Sequence, residues 1–115
     1  MLGVCLPVVA TLLAAAAPGP ARAVEVTASR FRFDPPAIEV EEGERLLLLL
    51  RSADGTHGFT IKDYGVKAKI PKGGEVVRVE FVAGRPGSFE FACSEYCGSG
   101  HRRMKGTLVV RARTK

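Results

Sequence analysis

Short runs of alternating apolar and polar residues dominate this chain. Val24-Glu25-Val26-Thr27-Ala28 alternates with period two, and Phe31-Arg32-Phe33 continues the pattern until Asp34-Pro35-Pro36 ends it. Ile38-Glu39-Val40, His57 to Ile61, Val66 to Ile70, Val76 to Val82, Ser88 to Cys93 and Gly106 to Arg111 read as further strands. Leu46 to Leu50 is continuously apolar between Arg45 and Arg51, which predicts a strand buried on both faces. Turn chemistry separates the runs: Glu41-Glu42-Gly43-Glu44, Ser52 to Thr56, Lys62 to Gly65, Pro71-Lys72-Gly73-Gly74 and Gly84-Arg85-Pro86-Gly87. No stretch has helical periodicity. Many short strands punctuated by Gly and Pro predict an all-β sandwich of Greek-key type. Arg111 to Lys115 reads as a short, frayed basic tail.

The first 23 residues follow different rules. Leu2 to Ala17 is apolar and alanine-rich, Pro18-Gly19-Pro20 breaks the run, and Ala21-Arg22-Ala23 has the small-x-small pattern of a signal-peptidase site. This predicts a signal peptide over 1–23 and a single domain over 24–115, although no basic residue precedes the apolar run. The competing reading is an uncleaved anchor. The run is shorter than the ~20 apolar residues that cross a bilayer and contains Pro7, so membrane contact is expected only through this segment. Export would place the domain in the periplasm or another extracytoplasmic space.

Composition narrows the function. The 115 residues suit one domain, and at 46% hydrophobic and 25% charged the chain can bury a core. Loss of Arg22 lowers the basic residues from 17 to 16 against 12 acidic ones, so the mature charge falls from +5 to +4. The basic residues are scattered along the strands rather than gathered in one run, which argues against nucleic-acid binding. An acidic protein partner fits better. No acid, base or nucleophile constellation stands out, so the chain by itself is not expected to be an enzyme.

The chemistry is concentrated in Cys93-Ser94-Glu95-Tyr96-Cys97-Gly98-Ser99-Gly100-His101-Arg102-Arg103-Met104. Two thiols, an imidazole and a thioether on one loop form a ligand set for soft or borderline transition metals, and copper uses all three together. Two cysteines suggest two copper ions bridged by sulfur. The loop lies between the last two strands, so the sheet holds both its ends. His57, the only other histidine, lies at a loop-to-strand junction from which it can reach the same end of a sandwich. Cys5 leaves with the signal peptide, and in an oxidising compartment Cys93 and Cys97 could instead close a disulfide. Met104 taken alone would pass for a core residue, and His57 for a turn residue.

The pattern Cys-x-Glu-x-Cys-x-x-x-His-x-x-Met resembles the cupredoxin superfamily, and within it the binuclear copper A domain of cytochrome c oxidase subunit II. Phe33-Asp34-Pro35, Gly43-Glu44, Asp54 to Phe59 and Gly106-Thr107-Leu108 extend the likeness over nearly the whole mature chain. The resemblance implies that Cys93 and Cys97 bridge two coppers and that His57 and His101 bind one copper each. It further implies Met104 and the backbone carbonyl of Glu95 as weak axial donors. It implies an exported carrier of single electrons, with a c-type cytochrome or a terminal oxidase as partner and a place as the electron-entry module of an oxidase. A copper-delivery or buffering protein and a mononuclear cupredoxin are the alternatives. The mature chain has a single methionine, Met104, which favours a fixed redox centre over a delivery site. The sequence departs from the family in lacking tryptophan, part of the family's docking patch, and in flanking the ligands with Arg102, Arg103 and Lys105. Those cations imply an acidic or neutral partner face, or a merely solvated loop edge.

Overall fold

The computed structural model describes Gly3 and residues 21–113. The greater part of the expected signal peptide, Cys5 included, lies outside these residues, whereas Arg22 and Ala23 belong to the first strand. Nine strands run in chain order: β1 Arg22–Ser29, β2 Arg32–Asp34, β3 Ala37–Glu41, β4 Arg45–Ser52, β5 His57–Ile61, β6 Val66–Ile70, β7 Val77–Val82, β8 Gly87–Ala92 and β9 Lys105–Arg111. Lys62–Tyr64 and His101–Arg103 each form a short 3-10 helix, and the described residues contain no α-helix.

The strands make two sheets, one ordered β2-β1-β4-β7 and the other β3-β9-β8-β5-β6. Their apolar faces meet in the all-β sandwich that the alternation predicts. Two pairs are parallel. Val26 of β1 lies beside Leu50 of β4, and Ile38 of β3 beside Leu108 of β9. A parallel neighbour cannot be reached by a hairpin, so the chain crosses between sheets.

Two strand expectations change. Phe31-Arg32-Phe33 does not prolong the first strand: the chain reverses at Arg30 and Phe31, and Ala28 pairs with Phe33 across an antiparallel hairpin. Leu46 to Leu50 is not buried on both faces. Leu46, Leu48 and Leu50 are fully buried, whereas Leu47 and Leu49 on the opposite face are only half covered. One face of β4 meets the other sheet, and its outer face lacks an equivalent layer. At the C-terminal end Arg111, expected in the frayed tail, is still in β9, and the Arg113 N–H donates to Oε1 of Glu42. Residues 114–115 lie outside the described part.

The core is dense at the end where β5 and β8 meet. Phe33, Phe59 and Phe91 form a fully buried trio with ring centroids 5.1 to 5.6 Å apart. Such aromatic contacts add about 0.5–1.5 kcal/mol each beyond their burial. Strand alternation then decides what lies above the trio. His57 shares a face with Phe59 on β5, and Cys93 follows Phe91 on the inward side of β8.

Candidate metal centre

Three segments build the site. The β4–β5 loop ends at His57, the β8–β9 loop carries Cys93 to Met104, and the tip of the β1–β2 hairpin carries Arg30 and Phe31. The β8–β9 loop is closed at its base, where the Cys93 N–H donates to the Met104 carbonyl at 3.0 Å. The 3-10 helix His101–Arg103 turns His101 back toward the cysteines.

All six residues picked from the sequence come together. Sγ of Cys93 and Sγ of Cys97 are 3.5 Å apart, and both thiols are free. Nδ1 of His101 lies 3.6 Å from Sγ of Cys97, and Sδ of Met104 lies 3.8 Å from the same sulfur. The backbone carbonyl of Glu95 is 3.0 Å from Sγ of Cys93. A ring nitrogen of His57 and the two cysteine sulfurs lie within 4.8 Å of one another. His57 and Met104 are wholly buried, Cys93 and Cys97 nearly so, while His101 keeps some exposure.

His57 shows which of its nitrogens is available. Its Nε2 is 2.6 Å from Oδ1 of Asp54. Burial opposes ionisation of Asp54, but hydrogen bonds from the Arg30 amide, the His57 ring and the Gly55 amide outweigh it and hold the carboxyl at about 2. The carboxylate is therefore an acceptor only, and Nε2 carries the hydrogen. Nδ1 is buried and has no hydrogen-bond partner, and in the neutral ring it carries the free lone pair. An unsatisfied buried polar atom costs about 1–3 kcal/mol. A metal ion among the sulfurs would satisfy it, so this donor set fits copper. Burial also pushes the Cys97 thiol up to about 11, reinforced by the hydrogen bond with Cys93 and by its charge; the Arg30 cation pulls the other way.

Close backbone approach keeps the loops together. A Cβ on Gly58 would meet the Ser94 hydroxyl and lie 2.7 Å from the Glu95 amide nitrogen, so only glycine lets β5 lie this near the ligand loop. The Gly58 N–H points at Sγ of Cys93, 3.5 Å away. Sequence reading left Asp54, Arg30, Phe31 and Gly58 without individual roles. Asp54 had a signal, a carboxylate three residues before a candidate metal-binding histidine. Arg30 had none, because its partners are distant in the chain.

A model of the cupredoxin-like domain matches residues 3–110. The chain belongs to the cupredoxin-like family. It is 36% identical over 88 residues to cytochrome c oxidase subunit 2 of Thermus thermophilus, covering 76% of this chain and 64% of that protein. The chain thus spans just under two thirds of that relative. Among solved structures it matches a chain of a heme-copper terminal oxidase dimer with a TM-score of 0.71 at 25% identity, over 78% of this chain and 65% of that one. The periplasmic domain of subunit II of cytochrome oxidase from Bradyrhizobium japonicum has the same fold, with a TM-score of 0.69 at 20% identity over 78% and 83% of the two chains. The similarity to cytochrome c oxidase subunit 2 agrees with the resemblance read from the loop. Among the described residues, no helix is long and apolar enough to cross a membrane.

Proposed function

We propose that this domain carries single electrons through a pair of copper ions. The observation that supports this most directly is the 3.5 Å pairing of Cys93 and Cys97 with the imidazoles of His57 and His101 beside it. In this reading Cys93, Cys97, His57 and His101 would hold the copper ions, the two imidazoles through Nδ1, and Met104 Sδ and the Glu95 carbonyl would serve as weaker donors. When bound, such a pair accepts and releases one electron at a time with little change in its surroundings. The protein supplies the rest. Asp54 fixes the His57 tautomer, the Phe33, Phe59 and Phe91 trio keeps water from the inner side, and the sandwich prevents the ligand loop from spreading.

The domain would act outside the cytoplasm, after removal of residues 1–23, and exchange electrons with a c-type cytochrome or as the entry module of a terminal oxidase. The exposed route to the site passes the ring of Tyr96, 5.8 Å from that of His101 and itself 79% exposed, with Arg102 and Arg103 beside it. A partner docking there should present an acidic or neutral face.

The test is copper stoichiometry with electron paramagnetic resonance on the reconstituted protein. Two coppers per chain, with one unpaired electron shared equally by both nuclei, is the expected result. One copper with a localised signal would replace this reading with a mononuclear site. Loss of bound copper to ordinary scavenging chelators would point to metal handling instead.

A further inference from the structure

We infer that Arg30 is a positioning residue that clamps the two ligand-bearing loops to each other, an inference that rests on the copper reading above. Its backbone N–H donates to Oδ2 of Asp54 at 2.8 Å, and its Nε–H donates to the backbone carbonyl of Cys97 at 3.2 Å. Asp54 in turn accepts from Nε2 of His57. A hydrogen-bonded path therefore runs from His57 through Asp54 and Arg30 to Cys97 and joins ligands forty positions apart without passing through a metal.

Neighbouring contacts make the clamp specific. The guanidinium lies over Gly55, where a Cβ would meet Nη2 at 2.9 Å. Next along the hairpin, the Phe31 ring packs on Gly98 and Gly100: a Cβ on Gly98 would lie 2.9 Å from the ring, and one on Gly100 would overlap it. Residues 30 and 31 thus hold the His57 loop on one side and the Cys97 loop on the other. The ligand loops share no backbone hydrogen bond with each other apart from the β5–β8 pairing at their bases, where Thr60 faces Ala92. Arginine suits the task because Nε is a fixed, planar donor partway along the side chain.

The chemistry of substitution separates the clamp from a simple packing role. Glutamine places an amide nitrogen the same number of bonds from Cα as Nε of arginine, without the charge. Methionine fills similar space and donates nothing. Full-length Arg30→Met, Arg30→Gln and a remote control, Arg78→Ala, would be compared with the native chain by two readouts. One is amide hydrogen exchange in the metal-free protein. The other is the rate of copper loss to a chelator, followed through the copper spectrum.

For Arg30→Met, exchange across residues 94–104 and 53–57 is expected to quicken about tenfold. Copper loss should accelerate about 10- to 100-fold, as for other residues that orient metal ligands. Arg30→Gln should stay within about twofold of the native protein in both readouts, and Arg78→Ala should be unchanged. Exchange and copper loss in Arg30→Met indistinguishable from native would overturn the inference. So would Arg30→Gln behaving like Arg30→Met, because a donor at that position would then not be what matters. If Arg30→Met does not fold, Arg30→Gln decides alone, with native-like exchange supporting the clamp and fast exchange refuting it. If the native chain takes up no copper, the proposed function fails while the exchange comparison still judges the clamp.

Discussion

Nε2 of His57 donates to Oδ1 of Asp54 at 2.6 Å, and this one hydrogen bond decides which face of the imidazole is offered to a metal. The carboxylate takes the proton-bearing nitrogen and leaves Nδ1 buried without a hydrogen-bond partner. Removing the carboxylate frees the ring to turn and to exchange tautomers. Asp54→Ala is therefore expected to weaken copper binding by about 10- to 100-fold. Competition with a chelator of known affinity measures this, and an affinity equal to native would show that the hydrogen bond does not prepare the ligand.

Gly58 sets the spacing between β5 and the ligand loop. In Gly58→Ala the added methyl would press on the Glu95 amide nitrogen and the Ser94 hydroxyl, and backbone cannot rotate away as a side chain does. The loop must shift, at an expected cost of about 1–3 kcal/mol. Thermal melting of the metal-free protein reads the cost, and the copper spectrum reads the displacement of Cys93 and the Glu95 carbonyl. A native melting point with a native spectrum would contradict the tight fit.

Stability of the metal-free domain should depend on pH at both extremes. The folded carboxyl of Asp54 lies at about 2, below the 3.8 of an unperturbed aspartate. Its stabilising contribution is present above pH 3.8 and is lost as pH falls toward 2, because the unfolded chain then binds the extra proton. The folded Cys97 thiol lies at about 11, above the 9.0 of an unperturbed cysteine. Its contribution is present below pH 9 and is lost as pH rises toward 11. Chemical denaturation across pH tests both limbs. Asp54→Asn should flatten the acid limb only, and Cys97→Ser the alkaline limb only.

Arg102 and Arg103 stand exposed on the short helix that carries His101. If an acidic partner docks beside Tyr96, its association should slow as salt rises, since screening acts over about 8–10 Å. Arg102→Glu with Arg103→Glu should lower the association rate about tenfold or more at low salt and leave the copper spectrum unchanged. Stopped-flow electron transfer at several ionic strengths checks it, and a rate insensitive to both salt and charge reversal would move the docking face elsewhere.

The sequence alone carried most of the fold and singled out the six residues that the site brings together. β5 and β6 fall on the residues expected, since period-two alternation and turn residues are local properties that short strands express directly. Cys93, Glu95, Cys97, His101 and Met104 were legible because one loop holds them at fixed spacing, and His57 because it is the only other histidine. Tertiary structure decided what depends on residues far apart in the chain. The parallel pairing of β1 with β4 follows from how the sheets stack, and so does the half-covered outer face of β4. The reversal at Arg30 was hidden because a two-residue turn leaves the alternation on either side looking continuous. That reversal brings Arg30 to Asp54 and Cys97, 24 and 67 positions away. A hydrogen bond over that distance leaves no periodicity or spacing in the sequence, and only the folded chain creates it.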